Sequence, residues 1–423
     1  MKLRRVERGE GAGEKCGITR KGLDGMGDRP GFRSRKTVEA LFIGRPNRFI
    51  VHCRVGRRNV RAYLPNPGRL RELLLPGSRL FLTVEPPGSE RKTVYTVVAV
   101  EREGAPVLLH THYTNTVARW LIEHRLIPGL EEYSLSQSEI TVGRSRFDFL
   151  LQKGRQHLLL EVKSCTLFGR KIAMFPDAVT ARGRRHLLEL AEHAGGRLRT
   201  AVLFIIHWPR AQYFLPDYHT DPAFSRTLSD VRGQVAVKPV AVGWRKDLAL
   251  SSRIREVQVP WKVLEREDHD SGSYVLILRL KRRRRIEVGR LGEILFEKGY
   301  YLYAGSAFRG LGKRIERHRR GGGNPFWHID YLRSLADFQA AFPVRSADRL
   351  ECPIAESLES TADRSIPGFG ASDCRCRTHL FAMDDDPLHS KQFVDLLMHY
   401  RIDRLMEEPG TKSLFPRSAG NGR

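Results

Sequence analysis

The sequence predicts three folded parts: a small antiparallel β-barrel, an α/β domain and a smaller α+β domain. Short strand-like runs separated by turns fill residues 35–112, and a strand, strand, helix and strand order occurs within residues 113–262. A polar stretch at 263–272 then breaks the apolar pattern and indicates a linker before new strands begin in residues 273–385. A length of 423 residues also favours two to three domains.

The first 34 residues are rich in glycine and charge, which predicts a disordered basic arm or a dispensable extension. In residues 35–112, an OB-like barrel is the most economical closure for several short strands, and it would supply a groove for nucleic acid. The predicted strands are residues 48–55, 58–64, 79–84 and 93–100. Asn66 and Arg69, in the loop after the second strand, are candidates for phosphate contact, although Pro/Gly turn chemistry explains this loop equally well.

The α/β domain and the last domain follow from similar local patterns. A helix is expected within 113–131, where Thr114 or Asn115 would cap it and Pro128-Gly129 would end it. The α/β domain is also expected to contain an amphipathic helix within 175–192 and a buried strand at 200–206. The last domain is expected to contain strands at 274–280 and 300–306 and a basic helix at 311–319. Within 386–423, a helix is expected at about 390–407, followed by a disordered tail from 408.

The composition indicates an anionic partner. The formal net charge is +25, so nucleic acid is the leading partner class, because cationic side chains neutralise phosphates. An anionic membrane surface is the second class, and the base composition of the genome, rather than function, is another source of such charge. The chain has no apolar run of about 18 residues and no secretory signal, so we expect no membrane span and a cytoplasmic protein. Six cysteines in so long a chain do not suggest a disulfide framework.

Two adjacent strands, at residues 144–151 and 157–163, carry the most informative charges. If Gly154 and Arg155 form a tight turn, Asp148 lies directly opposite Glu161. Opposed like charges are destabilising, and Lys163 projects from the same face as Glu161. A divalent cation such as Mg²⁺ or Mn²⁺ would explain the two carboxylates, and the lysine would activate water or offset developing negative charge. A surface salt-bridge cluster is the alternative.

Several separated motifs then resemble the sugar fermentation stimulation protein A (SfsA) family over residues 45–260. They include Pro65-Asn-Pro-Gly-Arg-Leu70, Arg146-Phe-Asp-Phe-Leu150, Glu161-Val-Lys163 and Phe175-Pro-Asp-Ala-Val-Thr180. The resemblance implies an OB-like barrel, a PD-(D/E)XK nuclease-like domain and DNA binding. It places the motif Asp on Asp148 and the Glu-X-Lys on Glu161 and Lys163. The chain departs from the family at Pro67, where Thr is frequent, and at Cys165.

Three further residues near this site are candidates. Glu123, on the helix before the hairpin, is either an additional metal ligand or part of a solvated helix face. Arg182 and the N-terminus of its helix would bind a phosphate. Asp177 either joins the site or caps that helix.

The last domain resembles a GIY-YIG nuclease-like domain of an uncharacterised branch over residues 272–385. Tyr274 matches the first motif tyrosine, Tyr303-Ala304-Gly305 matches the second, and Arg314 and His318 match the following helix. Glu351 is the candidate metal carboxylate. A tyrosine can serve as or activate a nucleophile, and arginine neutralises phosphate. Alternatively, the tyrosines are core aromatics. The two motif tyrosines are farther apart than in typical members.

Four residues of this domain suggest zinc: Cys352, Cys374, Cys376 and His379. Reduced cysteines packing a small domain are the other interpretation. Taken together, the sequence predicts a DNA-binding protein with Mg²⁺-dependent phosphodiester hydrolysis. A non-catalytic DNA-binding regulator that keeps the nuclease folds is the alternative, and a nucleic-acid-independent interaction protein is a third class. The oligomeric state stays open.

Overall fold

A computed structural model describes residues 29–32, 36–86, 88 and 92–416. Most of the predicted basic arm therefore lies outside the described residues. Its residues 29–32 are packed, which contradicts the expectation of disorder there. Gly31 pairs with Ala249, and the buried Phe32 ring lies 4.4 Å from the ring of Tyr113.

The first six strands form the predicted barrel. They are β1 (Thr37–Asn47), β2 (Ile50–Val55), β3 (Arg58–Tyr63), β4 (Arg79–Val84), β5 (Tyr95–Arg102) and β6 (Ala105–Leu108). Their order is β3-β2-β1-β4-β5-β6, and an additional pairing of β3 with β5 closes the sheet on itself. The long β1 was not recognised as a separate strand. It pairs with both β2 and β4 and has a register shift at Gly44.

The α/β domain follows the expected order. Its elements are α1 (Thr114–Glu123), β7 (Ser134–Val142), β8 (Ser145–Lys153), β9 (Gln156–Cys165), β10 (Leu167–Phe168), β11 (Ile172–Phe175), α2 (Ala181–His193), β12 (Leu198–Ile206), β13 (Tyr213–Pro216), α3 (Pro222–Val231), β14 (Val235–Trp244) and β15 (Leu250–Glu256). The main sheet has the order β15-β14-β12-β9-β8-β7, and β10, β11 and β13 form a smaller sheet. Strands β9, β12 and β14 run parallel.

The hairpin of β8 and β9 has the register expected from its turn. Lys153 pairs with Gln156, and Phe149 pairs with Leu160. The pairing of the two strands ends at Phe149 and Leu160, the residues next to Asp148 and Glu161. A tight turn at Gly154, whose φ is +55°, fixes this register because a glycine adopts positive φ without a steric penalty.

The predicted linker at 263–272 is wrong. Helix α4 (Trp261–Glu267) begins before it and a strand starts at Gly272. Val263, Leu264 and Glu267 are buried. This segment is charged overall, and its packed residues are few, so its sequence pattern resembled that of an exposed connection.

The last domain is built on an antiparallel sheet of order β20-β16-β19-β22-β21. Its elements are β16 (Gly272–Leu280), β17 (Arg284–Glu287), β18 (Glu293–Phe296), β19 (Gly299–Ala307), α5 (Leu311–Arg320), α6 (His328–Arg333), β20 (Asp337–Arg345), α7 (Glu351–Glu359), β21 (Arg364–Ser365), β22 (Leu380–Met383), α8 (Lys391–Arg401) and α9 (Pro409–Lys412). The β17–β18 hairpin lies between the two tyrosine-bearing strands β16 and β19, which accounts for their unusual separation in the sequence.

The C-terminal segment joins the two halves of the chain, so the expected disordered tail is wrong for residues 408–416. The Phe415 ring lies 4.6 Å from the Tyr213 ring of the α/β domain. An apolar cluster gathers side chains from β11, β13, α4 and this segment, including Ile402 and Leu405. Among the described residues, no helix is long and apolar enough to cross a membrane.

Candidate functional site

Asp148 is held by two hydrogen bonds at the β8–β9 hairpin. Its Oδ1 accepts from Asn115 Nδ2 at 2.6 Å, and its Oδ2 accepts from the backbone N–H of Val162 at 2.7 Å. Asn115 therefore orients a carboxylate and does not cap α1. Burial and the neighbouring charge of Glu161 raise the pKa of Asp148.

Glu161 is almost fully buried and only half satisfied. Its Oε1 accepts from Lys163 Nζ and, at 2.6 Å, from His186 Nδ1. Its Oε2 is buried without a hydrogen-bond partner. Burial opposes ionisation of Glu161, but the hydrogen bonds from His186 and Lys163 outweigh it and hold the pKa of Glu161 below its ordinary value. An ionised carboxylate with one unpartnered buried oxygen is costly unless a cation or a donor reaches it.

A relay from α2 orients Glu161. Arg182 Nε lies 3.3 Å from His186 Nε2, and an arginine N–H can only donate. His186 Nε2 is therefore the acceptor, and the proton on Nδ1 points to Glu161. Arg182 is exposed. Thr180, rather than Asp177, caps α2 by accepting from Gly183 N.

A cavity of about 400 Å³ opens beside this hairpin, between the barrel and the α/β domain. Asn115, Lys163, Asn66 and the loop at 176–180 contribute to its wall. Lys163 is the charged group of the predicted motif that reaches this space. Of the hairpin, Val162, Lys163 and Ser164 line this cavity, whereas Asp148 and Glu161 do not.

The barrel loop at this cavity is held in a fixed conformation. Asn66 donates from Nδ2 to Leu109 O and accepts at Oδ1 from Gly68 N. Its polar atoms thus have structural partners, which does not favour the predicted phosphate contact. A side chain at Gly68 would place its Cβ 2.9 Å from both Asn66 Oδ1 and Asp177 Oδ2. Arg69 next to it is exposed.

Arg45 holds the same loop and was not identified from the sequence. Its Nη1 donates to the carbonyls of Gly68 and Arg69, and its Nη2 donates to the carbonyl of Asn66 at 2.8 Å. One guanidinium thereby binds three carbonyls within the four residues 66–69. Arg45 and this loop are more than twenty positions apart in the sequence, so no local sequence pattern predicts the contact.

Glu123 is not brought to the hairpin. It lies at the last position of α1, eight residues after Asn115, which corresponds to about 12 Å of helix. It is exposed and its carboxylate lies 3.9 Å from Arg119. The structure therefore supports the solvated-face interpretation and contradicts its prediction as a metal ligand.

The second candidate site is a cavity of about 460 Å³ in the last domain. Tyr274 and Tyr303 project into it from neighbouring strands, with ring centroids 6.3 Å apart. Gly305 permits this arrangement, since a Cβ there would lie 2.5 Å from the Tyr274 phenol and 2.9 Å from the Tyr303 ring. Burial raises the pKa of both tyrosines, so both phenols are protonated at neutral pH.

Helix α5 contributes the two predicted basic residues. His318 is buried, and its Nε2 lies 2.9 Å from the hydroxyl oxygen of Tyr274. Burial lowers the pKa of His318 to about 4, so the imidazole is neutral. The guanidinium of Arg314 stacks 3.9 Å from the centre of the Trp327 ring. Trp327, which also lines the cavity, was not predicted as part of the site.

Glu351 lies at the wall of the same cavity, at the start of α7. Its Oε2 accepts from the hydroxyl of Ser306, and its Oε1 lies 3.3 Å from His379 Nδ1. The structure thus brings together the tyrosines, the basic residues and the carboxylate that the sequence singled out in this domain. Both oxygens of Glu351 already have partners, whereas Oε2 of Glu161 has none.

These features define a class of protein: an OB-like barrel followed by a nuclease-like α/β domain that carries an Asp, Glu and Lys constellation on a hairpin. Residues 43–109 match the family described as the SfsA N-terminal OB domain, and residues 112–247 match the sugar fermentation stimulation protein RE domain. The chain belongs to the sugar fermentation stimulation protein family. Residues 273–402 match domain of unknown function DUF123.

Named relatives cover the first two domains. The sugar fermentation stimulation protein homolog of Chloroflexus aurantiacus is 44% identical over 195 residues, covering 46% of this chain and 75% of the relative. The homolog of Methanothermobacter thermautotrophicus is 39% identical over 191 residues, covering 45% of this chain and 79% of the relative. A solved structure described as Pyrococcus furiosus SfsA in complex with Ca²⁺ has a TM-score of 0.49 and 28% identity, covering 53% of this chain and 96% of that one.

Proposed function

We propose that the protein binds DNA and hydrolyses its phosphodiester bonds at the β8–β9 hairpin with the help of Mg²⁺ or Mn²⁺. The observation that supports this most directly is the buried, unpartnered Oε2 of Glu161, on a hairpin whose pairing extends to Phe149 and Leu160, the residues next to Asp148 and Glu161. Both candidate ligands offer carboxylate oxygen, the donor that hard divalent ions prefer. The residues present therefore fit such an ion.

The chain's own residues prepare this site. Asn115 and the backbone N–H of Val162 fix the orientation of Asp148, and His186 fixes that of Glu161. Such supporting hydrogen bonds hold ligands in place and tune them. When bound, the cation would supply Lewis-acid polarisation of a phosphate oxygen. Lys163, at the cavity wall, would stabilise the negative charge that develops on the phosphate or orient the attacking water.

DNA binding is supported by the positions of the charges. The cavity beside the hairpin is bordered by the barrel loop, and exposed Arg48, Arg69 and Arg182 are available for phosphates near it. A formal net charge of +25 provides a favourable long-range field.

The tyrosine cavity is a second proposed phosphodiester site. Arg314 and the phenols of Tyr274 and Tyr303 line it. Neutral His318 is within hydrogen-bond distance of the Tyr274 hydroxyl, so it can accept that proton while the phenol activates a nucleophile. Arg314 would neutralise the phosphate charge.

Cleavage assays test both sites. A mixture of single-stranded, duplex, mismatched and branched DNA is incubated with Mg²⁺ or Mn²⁺ and the wild type, Glu161→Gln, Tyr303→Phe or Glu123→Gln. We expect Glu161→Gln to lower the cleavage rate by roughly 10²-fold or more, because a ligand and its charge are lost. Glu123→Gln is the matched control, since this exposed carboxylate should be dispensable.

The result that contradicts the proposal is equal behaviour of wild type and Glu161→Gln. If every protein is silent on all substrates while DNA binding persists and weakens steeply with salt, the chain is a non-catalytic DNA-binding protein. Selective loss in Tyr303→Phe would assign the cleavage to the tyrosine cavity instead of the hairpin.

A further inference from the structure

Three cysteines and a histidine converge behind the tyrosine cavity. Cys352 lies in the first turn of α7, whereas Cys374, Cys376 and His379 lie in the segment leading into β22. One ligand atom from each residue can be chosen so that all four lie within 4.8 Å of one another. The convergence therefore joins parts of the chain that are more than twenty residues apart.

Cys352, Cys374 and Cys376 are not part of the two apolar clusters of this domain. Among the described residues, the core cysteines are Cys53 and Cys165, which are fully buried. Cys352, Cys374 and Cys376 are only half-buried, and all five of these cysteines are free thiols. Half-buried thiols that face one another contribute little apolar burial, and thiolates are the preferred donors of Zn²⁺.

The geometry suits one tetrahedral ion. Zn–S bonds of about 2.3 Å and a Zn–N bond of about 2.0 Å separate ligand atoms by roughly 3.5–3.8 Å in a tetrahedron. Cys374 Sγ and His379 Nε2 are 3.4 Å apart, close to such an edge. Cys352 and Cys376 also line an open groove of about 450 Å³, which provides an entry path for the ion.

His379 is oriented as a metal ligand. It is 1% exposed, and its Nδ1 lies 3.3 Å from Glu351 Oε1, which leaves Nε2 directed to the cysteine cluster. Ligating histidines usually hold a carboxylate with the other ring nitrogen, and this contact fixes the tautomer. The backbone of His379 is also fixed, because its N–H donates to Phe369 O and its carbonyl accepts from Ala304 N.

We propose that Cys352, Cys374, Cys376 and His379 bind one Zn²⁺, which ties α7 to the loop at 371–379 and thereby positions Glu351. That loop contains no helix or strand, so the four bonds would supply much of its order. Four protein ligands leave no open position, which is the mark of a structural rather than a catalytic zinc. Glu351 lies between His379 and Ser306 at the edge of the tyrosine cavity. Through its contact with Nδ1, Glu351 in turn orients the His379 ring towards the metal.

The full-length protein tests this site by its metal content and by Co²⁺ substitution. We expect one equivalent of zinc in the wild type and, after exchange for Co²⁺, sulfur-to-metal charge-transfer bands together with the visible bands of a tetrahedral site. Cys374→Ser and Cys376→Ser should each lose the bound zinc, whereas Cys53→Ala should keep it. A wild-type protein that binds neither zinc nor cobalt, or one that keeps its zinc in both cysteine variants, overturns the proposal.

A second measurement isolates the role of Glu351. In competition with a chelator, Glu351→Gln should bind zinc about 10- to 100-fold more weakly at unchanged stoichiometry. Glu356→Gln, an exposed carboxylate one turn further along α7, should bind as tightly as the wild type. If the wild type, Glu351→Gln and Glu356→Gln all bind zinc with the same affinity, the proposal that Glu351 positions His379 is overturned. This readout needs no nuclease activity, so it is independent of the proposed function.

Discussion

Replacing Arg404 by methionine is expected to loosen the attachment of the C-terminal segment to the rest of the protein. The guanidinium is 1% exposed and donates from Nη2 to Glu267 Oε2 at 2.5 Å, from Nη1 to Glu408 Oε2 at 2.9 Å and from Nε to Tyr400 O at 2.7 Å. Glu267 is itself fully buried. Arg404→Met therefore leaves a buried carboxylate without its main cation.

Breaking a buried ion pair from one side costs about 3–5 kcal/mol, chiefly because the remaining charge is uncompensated. We expect a loss of this size in the free energy that keeps α8 and α9 docked. Removing both charges in Arg404→Met/Glu267→Leu should cost less than Arg404→Met alone. The two substitutions should therefore be coupled by roughly 2–3 kcal/mol.

Native-state hydrogen exchange of the amides in residues 391–412 measures the free energy of local opening directly. Arg319→Met is the matched control, because Arg319 is an exposed arginine paired with Glu316 on α5, and its loss should change stability by less than about 1 kcal/mol. Purely additive effects of the Arg404 and Glu267 substitutions would refute this reasoning, as would exchange in Arg404→Met that matches the wild type.

Two further predictions concern buried groups. Burial lowers the pKa of His207 from 6.5 to about 3, so between these pH values the unfolded chain binds more protons and the free energy of unfolding falls as the pH drops. His207→Gln should reduce that fall by about 1 kcal/mol between pH 6 and pH 5, measured by chemical denaturation. Gly305→Ala should lower stability by about 1–3 kcal/mol through its clash with the tyrosine rings, while Gly44→Ala, with nothing within 4 Å of the added Cβ, should melt near the wild-type temperature. A pH slope unchanged in His207→Gln, or equal melting of the two glycine variants, would contradict these expectations.

The hairpin was predictable because its information is local. A glycine turn and strict alternation of side chains determine which residues oppose each other, so the register that pairs Lys153 with Gln156 followed from the sequence. The barrel was predictable for a related reason, since turns punctuate its short strands. The tyrosine strands were recognised from their motif, even though a hairpin separates them.

The partners of the site residues were not predictable in this way. Asparagine is a residue type that often caps helices, yet the Asn115 side chain donates a hydrogen bond to Asp148, 33 positions away. The roles of Arg45 and of the buried Glu267 also depend on partners that are distant in the sequence. The residues next to them in the sequence have the polar character of exposed segments. Periodicity reports which face of an element is apolar, but it carries no information on which distant polar group satisfies a buried one.

The most direct test of the hairpin as a metal site is a calorimetric titration of Mn²⁺ into zinc-saturated protein without DNA. We expect the wild type and Glu123→Gln to bind one ion, and Asp148→Asn and Glu161→Gln to lose that heat while remaining folded by circular dichroism. A wild type that binds no ion, or variants at Asp148 and Glu161 that titrate like the wild type, would contradict the assignment of these carboxylates as metal ligands.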